Sequence, residues 1–311
     1  MKKIFVSGAN GFIGKALIQE LKKRNINFVP GSRTLYGEIE KVLDWNVFLK
    51  DCDTVIHLAG RVHIMNETVI NPLEAFREIN VKATIKFAES AKKKGIKKFI
   101  YISSIKVNGE ETFDYPFKAS DTPNPSDPYS ISKMEAEREL RKLHEENKFE
   151  VVIIRPPLVY GPEVKANFEK LFWLVNKNFP LPFSSINNRR SIVSVLNLVD
   201  LIINCVSNPM AGGHIFLVSD GRDYSLKDLL LEIAATQKKD LCLLPASVSA
   251  MKFFLKLIGK NSFSNRLFGN LHVDISETKS LLNWEPKYTF QETYSIEHIV
   301  SFEEFEICNK K

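Results

Sequence analysis

Short apolar runs alternate with stretches of helical spacing through the first half of the chain. Lys3-Ile4-Phe5-Val6-Ser7 reads as a strand, and Phe12, Ile13, Ala16, Leu17 and Leu21 then share a helix face over Phe12 to Arg24. Asn27-Phe28-Val29 predicts a second strand, Val42-Leu43 a weaker third, and Thr54 to Leu58 a fourth. A long helix is predicted from Pro72 to Lys94, with Pro72 in its first turn and Gly95 closing it. Phe99 to Ser103 is a fifth strand, a helix follows from Pro128 to Asn147, and Val151 to Arg155 is a sixth strand.

Strands that are apolar at every position are buried on both faces, which calls for parallel pairing with helices above and below. The repeated strand–helix order then gives right-handed crossovers and an α/β fold with a doubly wound parallel sheet. Between the second and third strands, Ser32 to Lys41 has room for only a turn or two of helix. The second half breaks the alternation, with turn-rich stretches at Pro156 to Lys165 and Phe179 to Arg190. Helical patterns lie near Phe168–Asn176, Leu226–Thr236, Ser249–Gly259 and Ser276–Asn283. This predicts a sheet domain over 1–163 plus 191–220, and a smaller, mostly helical substrate domain over 164–190 plus 221–311.

Composition narrows the class. The 311 residues are 44% hydrophobic and 26% charged, with 43 Lys plus Arg against 37 Asp plus Glu. The resulting +6 is spread among acids rather than gathered in one stripe, which argues for solvated helix faces and against nucleic-acid binding. It can still draw an anionic small molecule toward a site. No apolar run approaches the roughly 18 residues needed to span a bilayer, and the apolar run after Met1-Lys2-Lys3 is too short for a signal-peptide core. Cys52, Cys205, Cys242 and Cys308 lack zinc or redox spacing, so no metal site is expected and reduced thiols in a cytoplasmic protein are.

Three groups of residues carry chemistry. Gly8-Ala9-Asn10-Gly11-Phe12-Ile13-Gly14 follows the first strand and opens the first helix, as a dinucleotide pyrophosphate requires: a tight turn, bare backbone and a helix N-terminus. Tyr129 and Lys133 lie one turn apart on a helix. A phenol has an ordinary pKa of about 10, and a neighbouring ammonium favours its charged form. Ser103 and Ser104 end the fifth strand, at the edge where open parallel sheets bind ligands. After the second strand, Val29-Pro30-Gly31-Ser32-Arg33 holds no acid for a ribose 2′-hydroxyl, whereas Arg33 with Ser32 suits a 2′-phosphate. NADP(H) is therefore expected, with NAD(H) as the alternative.

These glycines resemble the extended short-chain dehydrogenases/reductases, which act mainly on nucleotide sugars and share a Rossmann-type sheet. So do His57-Leu58-Ala59-Gly60, Asn80-Val81, the block from Ser103 to Gly109, Tyr129-x-x-x-Lys133, and Arg155 to Gly161-Pro162. The resemblance runs nearly end to end, to Trp284-Glu285-Pro286. It implies that Tyr129 is the catalytic acid/base, Lys133 its tuner and ribose anchor, and Ser104 the hydroxyl on the sugar oxygen. It places Gly8, Asn10, Gly11, Phe12, Ile13, Gly14, Ser32, Arg33, Leu58, Ala59, Gly60 and Leu158 around the cofactor, with Asp44 near the adenine and Asn80 bracing the site. For a UDP-sugar it implies Asn167 and Phe168 near the uridine diphosphate, Phe183 against the uracil and Arg190 on the diphosphate, with Arg189 as its ambiguous neighbour. A homodimer through the helices at 72–94 and 128–147 is also implied.

Leu158 and Asn108 depart from the usual 4-epimerase pattern, which has Asn and Tyr at these places. The blocks Ser103 to Glu110, Arg155 to Pro162 and Arg61-Val62-His63-Ile64-Met65 look most like bacterial UDP-N-acetylquinovosamine dehydrogenases (4-keto reductases) of O-antigen and capsule synthesis, with Arg61 and His63 facing the sugar. The expectation is an NADPH-dependent reductase of a UDP-4-keto-6-deoxy-HexNAc at C4. Its rivals are a UDP-hexose or UDP-HexNAc 4-epimerase with tightly held NAD, and a non-catalytic dinucleotide sensor.

Overall fold

Alternate residues of the central strands face opposite sides of one sheet, and this splits the core in two. In chain order the strands are β1 (Lys3–Ser7), β2 (Phe28–Gly31), β3 (Cys52–His57), β4 (Lys98–Ile102), β5 (Glu150–Arg155), β6 (Leu158–Tyr160), β7 (Arg190–Ser194), β8 (Ile215–Leu217) and β9 (Asp223–Tyr224). The first helices are α1 (Phe12–Lys23), α2 (Arg33–Tyr36), α3 (Pro72–Arg77), α4 (Thr84–Lys93) and α5 (Pro128–Leu143). Then come α6 (Asn167–Asn176), α7 (Val195–Ser207), α8 (Leu226–Thr236), α9 (Val248–Leu257), α10 (Asn261–Phe268), α11 (Ser276–Leu282) and α12 (Phe290–Thr293). The computed structural model describes residues 3–62, 71–164, 167–177, 179–257, 259 and 261–295.

Six parallel strands form the main sheet in the order β2-β1-β3-β4-β5-β8. Ile4, Val6, Ile56, Ile100, Ile102, Val152 and Ile154 point to one face, where α1 and α7 bury Leu17, Leu21, Leu198 and Ile202. Phe5, Val55, Phe99, Tyr101, Val151 and Ile153 point to the other, against Phe87 of α4 and Ala136 and Leu140 of α5. The period of two along each strand thus explains the unbroken apolar runs. β1 lies where the strand order reverses, so the crevice above its carboxyl end is where such sheets hold ligands.

Three expectations need correction. Val42-Leu43 is no strand: Leu43 is 90% exposed, and the Val42 carbonyl accepts from Lys86 Nζ at 2.7 Å instead of from a neighbouring strand. β2 is therefore the sheet edge, and buried Trp45 fills the space beside it, 4.0 Å from the Phe87 ring centroid and 5.2 Å from Tyr36. The long helix over 72–94 is interrupted by a π turn at Glu78–Ala83. The helix from Pro128 stops at Leu143, because Glu145 and Phe149 then pair through both backbone hydrogen bonds. The short crossover between β2 and β3 is as expected, with α2 only four residues long.

β6, β7 and β9 make a second, three-stranded sheet. It packs with α6, α8 and α12 around Tyr160, Phe168, Leu230, Ile233 and Phe290, the Tyr160 and Phe290 rings stacking at 4.7 Å. Among the described residues no helix is long and apolar enough to cross a membrane.

Candidate active site

The glycine turn leaves the N-terminus of α1 bare. Gly8 has φ +72°, and a Cβ there would lie 2.7 Å from the Ala59 nitrogen, while one at Gly14 would run into the Gly8 carbonyl. Gly11 is the N-cap residue, it has no side chain to cap with, and no acid lies in the first turn. The amides of Phe12, Ile13 and Gly14 are thus uncovered by any side-chain cap, facing the crevice above β1. This cradle fits a pyrophosphate. Across it, Leu58, Ala59 and Gly60 follow β3; the Ala59 nitrogen donates to Ser7 Oγ at 3.3 Å. Ser32 stands at the N-cap position of α2 with no side-chain cap bond, and Arg33 is exposed beside it. Asp44 is exposed and accepts from the Asn46 nitrogen at 2.9 Å, a local turn bond. Leu158 is 40% exposed at the start of β6.

Burial separates the two serines after β4. Ser103 is buried, and its hydroxyl bonds the Glu137 carboxylate. Ser104 is half-buried, and its Oγ accepts from the Lys106 nitrogen at 3.3 Å, which leaves its hydrogen to donate. Lys106 Nζ pairs with Asp127, the N-cap of α5, and so ties the turn to the helix that carries Tyr129 and Lys133. Burial pushes the Tyr129 phenol up to about 12, Asp127 adds to this, and the Ser104 hydroxyl draws it back. The Phe76 ring meets Tyr129 edge-on at 6.0 Å, and the Arg61 guanidinium lies over Phe76 at 5.4 Å.

Lys133 Nζ donates to the Ile102 carbonyl at 2.8 Å and lies 4.5 Å above the Tyr101 ring. Burial draws its ammonium down to about 8, against the opposing charge of Glu137. Gly60 makes room: a Cβ there would be 3.1 Å from Asn80 Oδ1 and 3.7 Å from Lys133 Nζ. Asn80 sits in the π turn, fully buried, its carboxamide bonded to the Arg61 nitrogen (2.8 Å), the Arg61 oxygen (3.0 Å) and Ser132 Oγ (3.0 Å). It braces the chain after β3 against α5, and π turns gather at such functional positions.

Two groups, one of them partly and one wholly within the sequence motifs, have no role assigned from the sequence. Glu137 and Arg155 form a buried ion pair at 2.6 Å, with Arg155 also donating to Asn108 Oδ1 at 2.8 Å. Glu137 lies four residues after Lys133 and eight after Tyr129, on the same helix face, which is the signal that could have found it. His57 is the other: it is buried between Ser7 Oγ (2.6 Å) and Thr84 Oγ1 (3.0 Å), and burial, with the Lys133 charge, draws its imidazole down to about 3.

On the substrate side the residues separate. Arg190 is half-buried at the start of β7 and donates from Nη1 to the Gly269 carbonyl at 3.1 Å. Arg189 points to the surface and pairs with Asp223 at 2.9 Å. Phe168 is buried against Tyr160, centroids 5.5 Å apart, so its ring belongs to the core and not to a ligand surface. Phe183 is half-buried on the same cluster. His63 and the side chain of Asn167 lie outside the described residues.

Known proteins share both pattern and fold. The profile of the NAD dependent epimerase/dehydratase family matches residues 4–219. The chain is 43% identical over 306 residues to UDP-glucose 4-epimerase of Vibrio cholerae, covering 94% of this chain and 93% of that one. It is 25% identical over 252 residues to N-acetyl-alpha-D-glucosaminyl-diphospho-ditrans,octacis-undecaprenol 4-epimerase of Escherichia coli O157:H7, covering 76% and 73%. In fold it matches UDP-glucuronic acid 4-epimerase from Bacillus cereus in complex with NAD, with TM-score 0.73, 19% identity and 96% and 99% of the two chains covered. It also matches RMD from Pseudomonas aeruginosa complexed with NADPH, with TM-score 0.74, 20% identity and 98% and 100% covered. The chain belongs to the NAD dependent epimerase/dehydratase family, the extended short-chain dehydrogenases/reductases, and is a nicotinamide-dinucleotide-dependent enzyme of sugar chemistry.

Proposed function

We propose that the chain is a UDP-sugar 4-epimerase, inverting C4 of a UDP-hexose or UDP-N-acetylhexosamine. The observation that carries this reading is Ser104, Tyr129 and Lys133 gathered at the sheet's carboxyl edge beside the uncapped α1 N-terminus, in a chain 43% identical to a UDP-glucose 4-epimerase. When bound, a nicotinamide dinucleotide supplies hydride acceptance and return at C4. The α1 amides and the Leu58-Ala59-Gly60 segment would hold it. Tyr129 takes the C4 hydroxyl proton and gives one back, and the Ser104 hydroxyl donates to the same oxygen. Lys133 spends one of its three hydrogens on Ile102 and has two for the phenol and a ribose. Arg190, turned inward where Arg189 is turned out, is the guanidinium for the diphosphate.

A second reading, an NADPH-dependent C4 reductase of a UDP-4-keto-6-deoxy-HexNAc, is favoured by the β2 terminus, where no acid stands and Arg33 is exposed. Proton NMR separates the two. Purified protein with UDP-glucose or UDP-N-acetylglucosamine and no added cofactor should yield the C4 epimer, and denaturation should release NAD. A product formed only from UDP-4-keto-6-deoxy-GlcNAc with added NADPH overturns the epimerase in favour of the reductase. Under either reading Tyr129→Phe should lower kcat at least about a hundredfold. The pairing of two copies through α3, α4 and α5 belongs to the same reading and is checked by sedimentation.

A further inference from the structure

Helix α9 turns an apolar face away from the protein. Its inner face packs Val248, Met251 and Leu255 on the substrate-domain core. Ala250, Phe253, Phe254 and Leu257 follow at i, i+3, i+4 and i+7 on the opposite side, where Phe253 is 64%, Phe254 62% and Leu257 68% exposed. A helix that only roofed a core would carry polar residues there. Its polar residues are instead Ser249, Lys252 and Lys256, along one edge between the two apolar faces.

Charge says what covers this face. From residue 241 to 273 the sequence has no Asp or Glu, yet it holds Lys252, Lys256, Lys260 and Arg266. At the chain's overall frequency, 37 acids in 311 residues, a stretch of that length would carry about four. Protein partners are met by mixed charges; a segment of one sign beside bare phenylalanines matches a sheet of negative charge over hydrocarbon. We infer that α9 docks the enzyme in-plane on an anionic phospholipid surface, with Phe253, Phe254 and Leu257 at the acyl boundary and Lys252 and Lys256 among the headgroups. Adsorption of this kind is reversible and needs no spanning helix. It does not depend on which sugar the active site takes.

The test is flotation of the full chain with vesicles of pure phosphatidylcholine and of equimolar phosphatidylcholine and phosphatidylglycerol, at low and high salt. Wild type should float with the anionic vesicles only, and less at high salt. Lys252→Glu with Lys256→Glu should weaken partitioning at least about twentyfold, each lysine being worth about fivefold before reversal. Phe253→Ser with Phe254→Ser should weaken it at least about tenfold, with an unchanged melting temperature because both rings stand in solvent; should that pair disturb folding, Leu257→Ser alone is the variant to score. Failure to float with anionic vesicles overturns the inference. So does binding that survives the phenylalanine changes, or an oligomer that those changes dissolve in place of lipid binding.

Discussion

His57 is held neutral by its surroundings. Ser7 and Thr84 occupy both ring nitrogens, and burial draws its pKa to about 3 from an ordinary 6.5. Between those values the unfolded chain binds a proton that the folded one refuses, so stability falls as pH drops through 6.5 toward 3. Going from pH 7 to 4.5 this single residue should cost about 2–3 kcal/mol. Urea midpoints of wild type and His57→Gln at both pH values check it: the variant should lose less on acidification. Lys133 titrates in the opposite functional sense. With its ammonium drawn down to about 8, the charge that the proposed mechanism sets beside Tyr129 is present below that pH and lost above it. The kcat/KM profile should fall as pH rises through about 8, whereas Lys133→Arg, slower throughout, should show no such limb because a guanidinium does not titrate there.

Elements meet at Glu137. Its carboxylate joins α5 to β5 through Arg155 and to the end of β4 through Ser103, and Arg155 reaches on to Asn108. Removing one charge leaves the other buried and unpaired, so Glu137→Gln should cost about 3–5 kcal/mol in urea unfolding. Glu137→Met with Arg155→Met should recover much of that stability yet not the activity, since Ser103 loses its anchor and the Ser104 turn its support. What was legible beforehand follows the same division. The glycine turn and the Tyr129–Lys133 pair are local, each within seven residues, and so were readable. Glu137–Arg155 and Asn80–Ser132 join residues 18 and 52 apart, which only the folded packing of α5 brings together. α7 escaped notice because Val195 to Ser207 is mostly apolar and its polar line is narrow, Asn197, Asp200 and Asn204 at i, i+3 and i+7. Val42-Leu43 misled because two apolar residues form no period.

Across the whole molecule, the absent outer strand leaves β2 as the edge of the sheet and its end open to solvent. Tyr36 and Trp45 close the inner side of that end, and on the proposed reading Ser32 and Arg33 are the groups that would meet an adenosine ribose. An exposed guanidinium with no acid nearby on β2 discriminates phosphate from hydroxyl: it gains a charge-assisted bond from the first and nothing comparable from the second. Arg33→Ala should therefore weaken NADPH at least about tenfold, some 1.4 kcal/mol, and leave NADH within about twofold. Fluorescence titration of both dinucleotides against both proteins reads the two ratios. The outcome also bears on the reaction, because an epimerase needs only a retained dinucleotide while a reductase must exchange it each turnover. If Arg33→Ala leaves the NADPH to NADH ratio unchanged, the 2′-phosphate has no partner here, and the one structural argument for the reductase falls with it.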